Sequence, residues 1–494
     1  MPSNILVIIS GYDPGWLRIT EQIITNSLAN NLKPVLLDAS KLSTTPPDSF
    51  DRRVLKIGKI AYPGHDIKER ITKIGAEYLD ASDIQIHNSL DELSSSALDA
   101  LNIATKSALI SYYRTDQPNL SKKRISRISN SLRSEGSKLY WLVRNILETG
   151  DFETLYVPNG RFPNQKMPMI AAFELGIQTI HFEKGESKNS AYMQPYSPQD
   201  RISSQKAVDE VLQNLGNSEI ELIASDWLSR RAPDPKSINE FSEGWNDSLD
   251  SGLLEAFNGR KVAGFFTSSQ DEFMFLGPEW HLHSWESQFE AFTTLLSYFE
   301  GQGYFCYLRV HPNLATKEHQ CFIREKGDIL KLIEAHPHLY IIWHDEPVNS
   351  YHLLKYTDQV VVWDSTIGLE ASAIGTPVIT CATTRYGLIA DIQEVLGKET
   401  IENGFSLNQN IDSKKAKRFI AYLNKRDIQL EVPMDSWIPW KATNPNLLVK
   451  LSALTVSGGA PSVRDGFVAT FDVWRHRKPS FNISLVKKKL KISK

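Results

Sequence analysis

The chain has 494 residues. At roughly 100–200 residues per domain, this length accommodates two or three domains, each large enough to bury a core. Hydrophobic residues make up 41%, charged residues 23% and aromatic residues 10%, values that exclude a disordered or fibrous chain. Lys and Arg total 55 against 58 Asp and Glu, a net charge of -3, so no chain-wide positive field draws nucleic acid and an anionic ligand has to be held locally.

Residues 4–10 (NILVIIS) and 34–40 (PVLLDAS) are compact apolar runs separated by a helical-length stretch at 17–30, the pattern of a strand–helix–strand unit. The opening run is too brief for a signal-peptide core and lacks a basic lead, and no stretch approaches the roughly 18 consecutive apolar residues of a membrane span. A soluble or at most peripheral protein is expected. Residues 90–148 read as mostly helical, with a polar face rich in Ser, Lys and Arg. The strand-like segments LYVPNGR (155–161) and IQTIHFEKG (177–185) follow, with a helix at 165–175 between them that stops before Gly176. Residues 1–229 are expected to form one Rossmann-like domain with a helical insertion.

Residues 230–248 are rich in Pro, Ser, Asn and acids without sustained periodicity, which makes 230–255 the expected linker. Beyond it, KVAGFF (261–266), YFCYLRV (304–310), LYIIW (339–343), QVVVW (359–363) and PVITC (377–381) alternate with helical stretches at 284–300, 317–335, 350–356 and 366–374. Five apolar runs alternating with helices predict a parallel sheet covered on both faces, a second Rossmann-like domain over 256–410. Residues 411–494 complete the chain as a helical extension with a basic tail. The fold class is thus α/β, two Rossmann-like domains facing each other across a cleft. The cysteines at 306, 321 and 381 are odd in number and lack CxxC spacing, which argues against disulfides and zinc and for a reducing cytoplasm.

In such sheets ligands bind beyond the carboxyl ends of the strands. After the fourth strand of the second domain, Asp364, Ser365, Thr366 and Gly368 open a helix, whose N-terminal N–H groups favour an anion such as a phosphate. Glu370, one turn inside, is placed to meet a ribose. The competing reading makes Asp364, Ser365 or Thr366 an N-cap and Gly375 a helix stop. In RVHPN (309–313), His311 is placed to donate to a phosphate and, protonated, to offset leaving-group charge, with Arg309 as a fixed cation. Its rival is a histidine that caps its own turn. Ser268 and Ser269 in TSSQDEF (267–273) suit a diphosphate or sugar, or simply a solvated loop.

In the first domain, Asn159 and Arg161 of NGR and Glu183 and Lys184 of HFEKGE lie together if both loops face the cleft. Glu183 is then a general base for an acceptor hydroxyl, or else the partner of Arg161 in a salt bridge, and Asp13 in GYDPGW competes for the role of base. His281 and His283 flank Leu282 in a loop, and the histidines show no metal-binding spacing. The last segment, 481–494, combines apolar residues with five lysines and suits either solvent or an anionic membrane surface, here the inner face of the plasma membrane.

The order RVHPN, then DSTIGLEASAIGTPVI about fifty residues later, resembles the nucleotide-binding half of two-lobed (GT-B) glycosyltransferases of the bacterial capsule polysaccharide biosynthesis type. It is also similar to bacterial sialyl- and Kdo transferases, which pair an HP motif with a later Ser/Thr motif around a cytidine nucleotide. The resemblance implies that His311, Ser365 and Thr366 hold the donor phosphate, and that the first lobe takes the acceptor. Sialyltransferases carry their base in an acidic pair followed by Gly; the counterpart here is Glu183-Lys184-Gly185, with lysine in place of one acid. The expected activity is transfer of a sugar from a nucleotide sugar to a surface polysaccharide or its lipid-linked precursor, with no metal and no cofactor. Nucleotide-sugar 2-epimerases, teichoic-acid glycerophosphotransferases and a non-catalytic assembly protein share or could reuse the plan.

Overall fold

The computed structural model describes residues 3–433, apart from 12–13, 43–64, 87, 188, 232–250, 258, 270–275, 318 and 409. The expected base Asp13, the acids of TSSQDEF and the 481–494 tail lie outside the described residues. The first lobe runs β1 (Asn4–Ile9), α1 (Pro14–Ala29), β2 (Lys33–Asp38), α2 (His65–Ile74), β3 (Glu77–Asp80), α3 (Ser95–Tyr113), α4 (Lys123–Thr149), β4 (Phe152–Pro158), α5 (Pro163–Glu174), β5 (Gln178–Lys184) and β6 (Ser190–Gln194). Its sheet has the order β6-β5-β4-β1-β2-β3, parallel except for β6 against β5.

Alternation along β1 builds two cores at once. Leu6 and Ile8 pack with Leu101 of α3, Leu139 and Val143 of α4 and Met167 of α5. Ile5, Val7 and Ile9 face the other way, onto Leu17 and Ile24 of α1 and Ile67 and Ile71 of α2. Because both faces are covered, the strand reads as a continuous apolar run, and it is legible in the sequence for that reason.

Two helices, α6 (Arg201–Leu212) and α7 (Asn217–Arg231), lead away from the first sheet. The second lobe comprises α8 (Ser251–Phe257), β7 (Val262–Phe266), α9 (Gln288–Gly301), β8 (Phe305–Arg309), α10 (His319–Ala335), β9 (Tyr340–Ile342), α11 (Ser350–Leu354), β10 (Gln359–Val362), α12 (Ile367–Ala373), β11 (Val378–Thr380) and β12 (Gln393–Glu394). All five expected strands, β7 to β11, are present, and β12 joins them as a sixth in the parallel order β12-β11-β10-β7-β8-β9. All three cysteines are buried and unbridged.

The end of the described chain is no appendage. After α13 (Lys398–Glu402), helix α14 (Ser413–Lys425) packs Phe419, Ile420 and Tyr422 with Trp227 of α7 and Leu369 and Ala373 of α12. Then β13 (Ile428–Gln429) joins β6 in the first sheet, so residues beyond 410 tie the two lobes together.

A half-buried charge cluster around the buried Glu370 makes the second tie. Arg231 at the end of α7 pairs with Glu370 of α12 at 3.0 Å and with Glu186, in the β5–β6 turn, at 3.1 Å. Its guanidinium lies 3.8 Å from the Trp227 ring centroid, and Trp227 Nε1 donates to Glu186 at 3.1 Å. Burial pushes the Glu370 carboxyl up to about 7, while Arg231 and the Tyr351 hydroxyl pull it back. Removing one partner of such a cluster leaves a buried charge uncompensated, at a cost of about 3–5 kcal/mol. Arg231→Met should therefore lower the unfolding free energy by about 3 kcal/mol, and adding Glu370→Gln should recover part of it; urea unfolding of the three proteins measures both.

Candidate active site

The strand order explains how three separated sequence motifs meet. Strand β7 lies between β10 and β8, so the loops that follow these three strands leave the same sheet edge side by side. Two hydroxyls from the central loop hold the outer two. Thr267 Oγ1 accepts the backbone N–H of His311 at 2.8 Å, and Ser268 Oγ accepts that of Asp364 at 3.1 Å. Both side chains are buried, and the Ser268 N–H is itself bound by Gln288 Oε1 at 3.1 Å. Ser268 thus belongs to the frame of the site, and Ser269 beside it is also buried.

His311 caps its own turn: Nδ1 accepts the Asn313 N–H at 3.1 Å at the start of a short 3-10 helix, Pro312–Thr316. An Nδ1 that accepts fixes the neutral ring as the Nε2–H tautomer. The capping reading and the donating reading are therefore compatible, since capping uses Nδ1 and donation falls to Nε2–H. Arg309 departs from expectation. Its guanidinium donates to the carbonyls of Trp343, Glu346 (3.2 Å) and Val348 (3.3 Å), which fastens the loop after β9. Burial pushes it down to about 10, with Glu346 and Asp345 opposing. It is a buried strut whose terminal guanidinium nitrogens are engaged by backbone carbonyls.

At the third loop, the Ser365 and Thr366 hydroxyls make no hydrogen bond to the described residues, and Thr366 is exposed. The helix behind them has only seven residues, and the Gly368 N–H already donates to the Ser365 carbonyl at 3.1 Å, so the loop presents hydroxyls more than a free helix terminus. Gly368 itself is required by packing: a Cβ there would lie 2.3 Å from the Tyr386 hydroxyl, which donates to the Ser365 carbonyl at 2.7 Å. Glu370, expected at a ribose, is 2% exposed and engaged with Arg231 and Tyr351.

In the first lobe, Glu183 at the end of β5 is half-buried and held by three donors. Trp16 Nε1 and the Lys184 N–H both reach Oε1 at 2.9 Å, and Asn159 Nδ2 reaches Oε2 at 2.7 Å. Asn159 adopts a left-handed φ of 49°, a region asparagine tolerates, and Gly160 follows at 92°. A Cβ on Gly160 would meet the His181 ring at 2.9 Å, so this turn needs glycine on both counts. Arg161 forms no salt bridge with Glu183; its Nε donates to Ser107 of α3 at 2.7 Å. Lys184 is exposed, consistent with the alternation of side chains along β5, and is not brought to the Glu183 carboxylate.

The lobes meet across residues 196–201. Gln199 Nε2 donates to Asn159 Oδ1 at 2.9 Å, and its carbonyl accepts from Trp280 Nε1 of the second lobe at 3.1 Å. Arg385, after β11, reaches the Pro198 carbonyl at 3.2 Å, and Arg201 reaches that of Thr384 at 2.6 Å. Sequence reasoning missed Trp16, Lys166, His181 and Gln199. His181 and Lys166 stand close together beside Asn159 and Glu279. Burial foremost, then the Lys166 cation, pushes His181 down to about 4, against a backbone hydrogen bond with Asn159. Burial also pushes Lys166 down, with Glu279 of the second lobe opposing. Only Glu183, at i+2 from His181, carried a signal that could have marked this histidine. Among the described residues no group of three or more His, Cys, Asp or Glu is arranged to hold a metal.

Residues 281–390 match the family of capsule polysaccharide biosynthesis proteins, a span that contains both RVHPN and DSTIGLEASAIG. No curated protein matches the chain. Among solved structures it is similar to the KpsC beta Kdo 2,4 transferase of Thermosulfurimonas dismutans, with 15% identity and a TM-score of 0.36 over 55% of this chain and 79% of that one. The beta Kdo 2,7 transferase of the same KpsC gives 16% and 0.33 over 66% and 87%. The UDP-GlcNAc 2-epimerase of Methanocaldococcus jannaschii gives 11% and 0.29 over 85% and 97%.

His181 makes a pH-dependent contribution. Its folded value near 4 lies below the ordinary 6.5, so as pH falls from 6.5 to 4 the unfolded chain takes up a proton that the folded chain refuses, and stability is lost. The stability advantage of wild type over His181→Asn should shrink across this window by up to about 3 kcal/mol, read from urea unfolding at several pH values.

Proposed function

We propose, from the capsule polysaccharide biosynthesis match over residues 281–390 and the loops gathered within and beside it, that the protein is a glycosyltransferase. It moves a sugar from a nucleotide-activated donor, held by the second lobe, to a surface polysaccharide or its lipid-linked precursor, held by the first. The observation that carries this reading is the pair of hydroxyl clamps, Thr267 to His311 and Ser268 to Asp364, which fix the HP and DST loops side by side at one sheet edge.

The chemistry follows from the groups available. Glu183 accepts the proton of the acceptor hydroxyl, whose oxygen attacks the anomeric carbon as the bond from that carbon to the nucleotide phosphate breaks. The charge left on the phosphate is met by Nε2–H of His311 and by the hydroxyls of Ser365 and Thr366, preorganised donors that need no reorientation during the step. These groups offset leaving-group charge without a metal. Asn159 and Trp16 orient the carboxylate, and the contacts through Gln199 hold the lobes together around the reactants and exclude water, which would otherwise hydrolyse the donor. The work is done in the cytoplasm, where nucleotide sugars are made.

Incubation with UDP-, GDP-, CMP- and CDP-linked sugars, with and without glycan or lipid-linked acceptors, tests the reading. Acceptor-dependent transfer supports it; epimerisation at C2 without acceptor points to an epimerase, and inertness toward all donors and acceptors points to an assembly protein. Against the active pair, Glu183→Gln should lower kcat about 10²- to 10⁴-fold and His311→Ala about 10²- to 10³-fold. Both variants should still unfold in one cooperative transition, lowered by no more than a few degrees for the lost cap or carboxylate contacts, and an unchanged rate in either removes that residue from the mechanism.

A further inference from the structure

We propose that the exposed face of α4 docks the protein on an anionic membrane surface. Residues 122–138 carry six cations against a single acid, Glu135, which is 4% exposed and turned into the lobe. On a helix of 3.6 residues per turn, Lys123, Arg127 and Lys138 fall within about 60° of one another and span roughly 22 Å. All three are exposed, as are Asn130, Ser131 and Ser134 between them, and no acid shares this face.

The contrast with another cationic helix of the chain is informative. On α14, Lys417 pairs with Glu221, Arg418 with Asp209 and Lys425 with Glu219. By comparison, Lys123, Arg127 and Lys138 form no ion pair among the described residues. Unscreened like charges along one helix face repel, and in a chain of net charge -3 the acids to neutralise them are available but placed elsewhere. The turn that precedes the stripe presents Leu120, 55% exposed, two residues before Lys122. An apolar side chain beside a row of cations suits the boundary between headgroups and acyl chains. A convex helix face offers no groove for a glycan or nucleic acid strand, whereas a plane of anionic headgroups meets it along its length. The same turn touches the second lobe, through Asp116 with Arg324 and Lys122 with Gln320, so docking sets the rim where the lobes meet beside the headgroups.

This inference is independent of the transfer reaction and is tested on the full chain. Cosedimentation with vesicles of phosphatidylcholine, alone or mixed with phosphatidylglycerol, should show binding only to the mixed vesicles, lost with added salt. The triple variant Lys123→Glu, Arg127→Glu, Lys138→Glu should bind at least about 100-fold more weakly. Leu120→Ser should bind several-fold more weakly, and both should melt like wild type because the replaced side chains are exposed. Wild-type affinity in the triple variant overturns the proposal and moves any attachment to another part of the chain, such as the lysine-rich 481–494. Failure of the wild type to bind mixed vesicles, including the case in which it binds heparin instead, overturns it as well.

Discussion

The geometry of the candidate site depends on two side-chain hydroxyls that bind backbone. Thr267 and Ser268 follow the end of the middle strand of three, and each captures the backbone N–H of the second residue beyond a neighbouring strand. A backbone N–H buried without a partner is costly, so the loop adopts the path that brings it to the hydroxyl, and the side chains that follow are carried along. His311 and the Ser365-Thr366 pair are thereby placed relative to each other by bonds that neither side chain makes. The ring nitrogen of His311 and the packing of Tyr386 against Gly368 then narrow what each loop can present.

The two lobes are held by groups of opposite character. Helix α14 and its apolar partners supply area, while Arg231 with Glu186 and Glu370 supplies a buried ionic contact whose value lies in register more than in net stability. Between them, the Asn159–Gln199–Trp280 sequence of hydrogen bonds runs from the carboxylate of Glu183 to the second lobe, so the orientation of that carboxylate is sensitive to how the lobes sit.

The sequence made the strands legible where burial on both faces produced unbroken apolar runs, as in Ile5–Ile9 and in all five runs of the second lobe. It could not reveal β12 and β13, which are two residues long and too short for any periodicity, or the return of the chain to the first sheet, which is a matter of tertiary packing. The polar loops at three strand ends were legible as a group and do lie side by side, but the hydrogen-bond partners of their individual residues were not legible. Arg309 and Glu370 look in sequence like ligand-binding charges, yet their partners are carbonyls and an arginine far away in the chain. Gln199 was invisible because a glutamine in a connection carries no local signal; only the approach of two lobes gives it a purpose.

The ring of His311 is anchored at one nitrogen by the turn it begins. An imidazole tethered in this way has its Nδ1 lone pair committed to backbone, so hydrogen-bond donation falls to the other nitrogen. In the proposed transfer reaction this suits the residue to steadying a departing group more than to collecting a proton, a division of labour that begins in three consecutive positions of the chain.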